Sequence, residues 1–178
     1  KKTYKRLMIC SDWVLNHFIA NNTEADLRLL LFSKDGVLLR IYGAPAENDW
    51  LAQCGIKSGA KWSEDSIGTN PFTIGIQGRK AVEMHAFYNY SRFLIDGPYY
   101  FAPICISENE INWSIVIAVP QEKRHQYLLS IAINIARTIE LDVFLFQSID
   151  MFTSSDEESG SIFLRQNKGR NEVVIIND

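Results

Sequence analysis

The sequence predicts an α+β fold: a central antiparallel sheet of five or six strands, flanked by helices and closed by a long C-terminal helix. Three observations predict it. Two strand pairs each span a short turn, 27–33 with 37–42 and 99–107 with 111–119. A further short strand fits 80–85, and helical periodicity appears at both ends of this array.

The elements follow in order. Over 4–20, Tyr4, Leu7, Met8, Val14 and Phe18 recur at helical spacing, and Asn21-Asn22-Thr23 ends the run. Ser11-Asp12 offers a second start, capping a shorter helix from Trp13. The first hairpin turns at Lys34-Asp35-Gly36, because Asp and Gly tolerate positive φ. A short helix over 46–54 stops at Gly55, a residue suited to a left-handed cap. Ser63 or Asp65 starts one helical turn. Asn70-Pro71 starts another helix, with the amide as cap and proline at the first helical position, stopping at Gly78.

The aromatic run 86–94 reads as a short helix, and Gly97-Pro98 as a break. In the last strand Ile111, Trp113, Ile115, Ile117 and Val119 alternate with Asn112, Ser114, Val116 and Ala118, so one face is fully apolar and is expected to be buried under helices. Pro120 opens a helix expected over 121–151. One stripe on it, Leu129, Ala132, Ala136, Ile139, Val143 and Phe146, reads as core. A second, Leu128, Ile131, Ile135, Leu145 and Ile149, reads as a partner face; one wide core face is the alternative. Thr138 and Asp142 interrupt the second stripe, so it is no regular zipper. TSSDEESGS (153–161) is acidic and serine-rich, hence a linker. The expected division is a domain over 1–152, a linker over 153–171, and a strand at 172–178 that opens a following domain and has no hairpin partner nearby.

Composition narrows the function. The 178 residues are 47% apolar and 12% aromatic, enough for one core without disulfide or metal staples. The net charge is −3, where a nucleic-acid-binding domain shows a basic surplus. Direct nucleic-acid contact and a membrane span are not expected. The start at Lys1-Lys2, with no signal-peptide apolar segment, reads as a piece of a longer protein. Cys10, Cys54 and Cys105 are widely spaced without a CxxC, which fits inert thiols in a reducing cytoplasm. His17, His85 and His125 have no metal-ligand spacing, so neither metal nor cofactor is expected.

Residues 29–146 resemble the GAF sensory domain of bacterial sigma-54-dependent transcription activators, of the acetoin- and glycerol-regulator type. The matching segments are LLLFSKDGVLLRIYG (29–43), CGIKSGAKWSEDSIGTN (54–70), RKAVEMHAFYNY (79–90), YYFAPI (99–104) and IARTIE (135–140). GAKWSEDSIGTN is the most specific of them. The small residues that follow Gly-Thr-Asn in the family are replaced here by Pro71-Phe72-Thr73-Ile74. The resemblance implies a GAF-like (PAS-like) fold that binds a small effector or forms a homodimer. Such a domain controls an ATPase module and a DNA-binding domain in the same full-length protein. Some members carry a PAS domain between, which suits the strand at 172–178.

The expected ligand-binding residues are Trp62, Thr69, Asn70, Phe72, His85, Phe87, Tyr88 and Tyr100, with Tyr99 and Phe101 as further walls. Each has a plainer reading. The aromatics can be a filled core, Thr69 and Asn70 helix caps, and His85 a structural histidine. The expected class is therefore a non-enzymatic sensory module. A ligand-free dimerisation scaffold is one alternative. Another is a thiol-dependent methionine sulfoxide reductase, which needs an attacking and a resolving cysteine within reach.

Overall fold

The computed structural model describes residues 2–22, 26–43, 50–53, 55–85, 97–107, 110–155, 160–167 and 170–177, with side chains described among residues 4–149 of these. Helix α1 (Lys2–Ala20) buries Leu7, Cys10, Ser11, Val14 and Leu15 at helical spacing. Its last carbonyls are satisfied by side-chain amides: Asn21 Nδ2 donates to His17 O at 2.8 Å and Asn22 Nδ2 to Phe18 O at 2.8 Å. The helix runs unbroken through Ser11 and Asp12, with Leu7 and Cys10 already buried ahead of them, so the shorter helix starting near Trp13 is not formed.

Strands β1 (Arg28–Ser33) and β2 (Leu38–Tyr42) pair antiparallel, with Gly36 at φ +77° in the turn. The register shifts by one residue between Leu31 and Phe32, a bulge that bends the hairpin over its neighbours. Short helices α2 (Trp50–Gln53), α3 (Glu64–Ile67) and α4 (Pro71–Gly78) follow. The left-handed residue that ends α4 is Arg79, at φ +49°, one beyond the expected Gly78; its N–H closes on Gly75 and Ile76. Strands β3 (Val82–Met84), β4 (Tyr99–Ile104) and β5 (Trp113–Ala118) complete a five-stranded antiparallel sheet, ordered β2-β1-β5-β4-β3. The helix expected over 86–94 falls outside the described residues, as does the start of the one expected over 46–54.

The sheet is covered on both faces. One face holds Leu29, Leu31, Tyr100, Ile115 and Ile117 under α1 and the long helix α5 (Leu128–Ser155). The other holds Leu30, Phe32, Tyr99, Phe101 and Val116 under Leu51, Trp62 and Phe72. Every residue of β5 is therefore buried, where sequence alternation predicts burial of one face. The "polar" parity of that strand is mostly Val116 and Ala118, which fit either environment.

Three further expectations change. Residues 121–127 do not belong to the long helix. Gln121–Lys123 forms a 3₁₀ turn, and α5 starts at Leu128, because the exposed, polar stretch before it has no apolar face to bury. The two stripes of α5 are not separate surfaces. Leu128 and Ile135, expected on a partner face, are buried in the chain's own core with Ala132, Ala136, Ile139 and Val143. Ile131 and Ile149 are half-buried, and Leu145 is exposed. Finally, 153–171 is not a plain linker. α5 continues to Ser155, and β6 (Gly160–Asn167) pairs with β7 (Arg170–Asn177) as a two-stranded sheet, giving the terminal strand a hairpin partner. No helix among the described residues is long and apolar enough to cross a membrane.

Candidate functional site

The α3–α4 corner is built by capping. Ser63 and Ser66 form a capping box for α3. Asn70, fully buried, does the same for α4: its Oδ1 accepts from the N–H of Phe72 at 3.0 Å and of Thr73 at 3.2 Å. Its Nδ2 donates to Gly68 O at 2.8 Å and reaches Trp62 O at 3.5 Å, and its own N–H donates to Thr73 Oγ1 at 3.1 Å. Both ends of the amide are thus used to hold Trp62 and Phe72 against the sheet.

Those rings interlock. Trp62 lies 4.8 Å from Phe32 and 6.0 Å from Tyr99, centroid to centroid. Phe72 lies 5.5 Å from Phe32 and 6.0 Å, edge-on, from Phe101. Gly75 of α4 is seated directly on Phe101, where a Cβ would come within 2.1 Å of the ring. This half of the face is a packed aromatic plug.

Of the expected ligand-binding residues, the fold brings together Trp62, Asn70 and Phe72, joined by Tyr99 and Phe101. Thr69 turns outward, its hydroxyl 3.5 Å from Glu64 Oε1. Tyr100 belongs to the opposite face, opposed to Ile117 and packed in the α5 core. That placement is a correction set by the two-residue strand period: Tyr99 and Phe101 share one parity and Tyr100 has the other. Burial, then the nearby Glu83 carboxylate, raises the pKa of the Tyr100 phenol. His85 Nε2 lies 3.6 Å from Glu83 Oε1, which also accepts from Arg124 Nε at 3.3 Å, so His85 joins a charged cluster at the β3 edge. Phe87 and Tyr88 lie outside the described residues.

Two features were missed by sequence reasoning. A cleft of about 370 Å³ opens between α5 and the β3–β4 edge, lined by Arg79, Lys80, Cys105, Arg137 and Glu140. There Glu140 Oε1 accepts from the Cys105 N–H at 2.7 Å. The other is Arg28. It opens β1 on the aromatic face and is 3% exposed. An arginine at the start of an apolar strand reads as solvent-facing, and only the pairing on both sides of β1 reveals its burial.

The two described thiols, Cys10 and Cys105, are held in their protonated, less nucleophilic form. Burial, then Asp142, pushes the Cys10 thiol up to about 11, and burial with Glu140 raises Cys105. Cys54 lies outside the described residues. No group of three or more metal-ligating side chains occurs among the described residues.

No protein-family model matches the chain, and no curated protein matches it. A solved structure does, the Escherichia coli DhaR(N)–DhaL complex, with a TM-score of 0.74 over 94% of this chain at 17% identity. The fold is GAF-like. This chain spans 60% of the length of the chain it matches there. The GAF-B domain of DevS from Mycobacterium smegmatis superposes at a TM-score of 0.45, 13% identity, over 80% of this chain and 98% of that one.

Proposed function

We propose that the chain is the sensory, regulatory domain of a sigma-54-dependent transcription activator, without catalytic activity of its own. It works in the cytoplasm, dimerises through its terminal helices, and passes the state of a small effector to ATPase and DNA-binding modules of the same protein. The observation that carries this reading is the arrangement of α1 and α5. They pack together on one face of a GAF-like sheet and still expose Ile9 and Trp13 on α1, and Leu141, Phe144 and Leu145 on α5. Phe144 is 61% exposed. Large apolar side chains left outside on adjoining helices mark an association surface. The solved neighbour is a complex with a second protein, DhaL, which supports a protein partner as a further input.

Sedimentation equilibrium tests the dimer. The wild-type chain is expected to sediment as a dimer. Phe144→Glu with Leu145→Glu sediments as a monomer and keeps cooperative thermal unfolding. A wild-type chain that stays monomeric at its highest soluble concentration overturns this part. Replacing all three cysteines leaves any regulatory output intact; a sulfoxide-reductase activity lost with them would reinstate the enzyme alternative.

A second reading, a ligand-free scaffold, draws support from the aromatic plug. The plug reaches from the hairpin end of that sheet face to Tyr99, which stands in the same cross-strand row as Arg28.

A further inference from the structure

Arg28 lies on the aromatic face of the sheet, on the same parity as Leu30 and Phe32. Across β5 it is paired with Ala118, and Ala118 with Tyr99 of β4. On the β2 side it is flanked by Gly43, at φ +110°, where a Cβ would stand 3.1 Å from Arg28 Cδ and 2.8 Å from Leu27 O. The arginine thus has a glycine on one side and an alanine on the other. These small neighbours are what let the arginine lie on this face: a side chain at Gly43 would press on its Cδ and on the Leu27 carbonyl.

The head group is only partly paired. Nη1 donates to Leu27 O at 3.1 Å and reaches Asp26 Oδ1 at 3.4 Å, and Asp26 is itself 43% exposed. Nε and Nη2 are buried and have no hydrogen-bond partner among the described residues. These two donors run parallel along one edge of the guanidinium, the fork that matches two oxygens of a carboxylate or phosphate. A buried cation with a complete, unused fork is costly unless an anion meets it, and an unsatisfied buried donor calls for a physical explanation.

We propose that Arg28 is the anchoring residue of an effector site for a small anion, bound side-on through a carboxylate or phosphate group. Gly43, Ala118 and Tyr99 form the adjoining part of the site. The assignment rests on the sensing part of the proposed function and names the chemistry of what is sensed. Trp62, which touches Tyr99, and Phe101, one cross-strand row further on, bound the site on the hairpin side.

Thermal unfolding of the chain in acetate, succinate, inorganic phosphate and methyl phosphate, at ionic strength matched with sodium chloride, tests the site. One anion class is expected to raise Tm saturably, as a ligand specific to the folded state does. Which class does so separates the carboxylate from the phosphate source. Arg28→Met removes the saturable rise, and Arg28→Lys, which keeps the charge and loses the fork, weakens the apparent affinity at least tenfold. In ¹⁵N spectra the wild-type Arg28 Nε–H resonance, identified by its absence from Arg28→Lys, moves downfield and exchanges more slowly with water at saturating anion. No saturable rise with any of the four anions overturns the proposal, and so does a rise that survives in Arg28→Met. If Arg28→Met does not unfold cooperatively, an Nε–H resonance that stays unmoved in the wild type overturns it alone. A neutral diol that stabilises wild type and Arg28→Met equally would sink the anion site and leave sensing standing. An anion bound through Arg28 that leaves the dimer constant unchanged would keep the site and sink its regulatory role.

Discussion

The two faces of the sheet are packed by different chemistry. Under α1 and α5 the filling is mainly aliphatic, from Leu7, Leu15, Leu29 and Leu31 to Ile115, Ile139 and Val143, with Tyr42, Tyr100 and Trp113 among them. Under α3 and α4 it is aromatic, and it encloses the polar side chains of Asn70, Thr73 and Arg28. Aliphatic packing gives stability with little directionality. Rings held at fixed angles around capped helix ends give a single arrangement, in which one displaced side chain disturbs several others. The first face suits a platform on which partners assemble, the second a region where a small change in occupancy matters.

Truncation sharpens this contrast most. Trp62→Ala removes the ring that touches both Phe32 and Tyr99 and is expected to destabilise by ~3–5 kcal/mol in urea unfolding. Ile139→Ala on the aliphatic face should cost ~2–5 kcal/mol, toward the lower end if α5 can settle into the gap. Gly75→Ala forces a methyl into the Phe101 ring and is expected to cost ~1–3 kcal/mol by overpacking. A neutral result there would show that the aromatic face yields as readily as the aliphatic one and would break the comparison. Asn70→Ala loses the α4 cap and should cost ~1–2 kcal/mol. The smallest effect is on the aliphatic side. The Cys10 thiol rises from its ordinary 9.0 to about 11, so above pH 9 the unfolded chain ionises first and stability falls until the folded state also ionises. Thermal unfolding from pH 8 to pH 11 is expected to show this decline, and Cys10→Ala to lessen it, the remainder coming from the raised Cys105 and Tyr100 groups.

Local signals carried most of the fold. Asp35-Gly36 fixed the first turn, and Asn70-Pro71 the start of α4, because turn and cap chemistry act over a few residues. Pairings between distant segments were less legible. The position of β1 beside β5, which buries both strands on both faces, depends on pairings as distant in the chain as Arg28 with Ala118. The same non-local packing decides that Leu128 and Ile135 turn inward. In the candidate site, Trp62, Asn70 and Phe72 were readable because they are close in sequence and share one cap. Tyr100 was misplaced because β4 has tyrosine at both parities, and its identity alone does not tell which ring faces which layer. Arg28 was hidden because the glycine and alanine that make space for it come from two other strands.

Helix α5 is 28 residues long, about 42 Å at the usual rise per residue. Its buried positions run from Leu128 to Val143, and the remainder continues to Ser155, just before the β6–β7 hairpin. A stiff rod held along its first part is a lever: a tilt of about 5° about Val143 moves the end at Ser155, about 18 Å further on, sideways by roughly 1.5 Å. A change in packing too slight to alter the sheet is therefore magnified into a displacement that whatever adjoins the free end must follow.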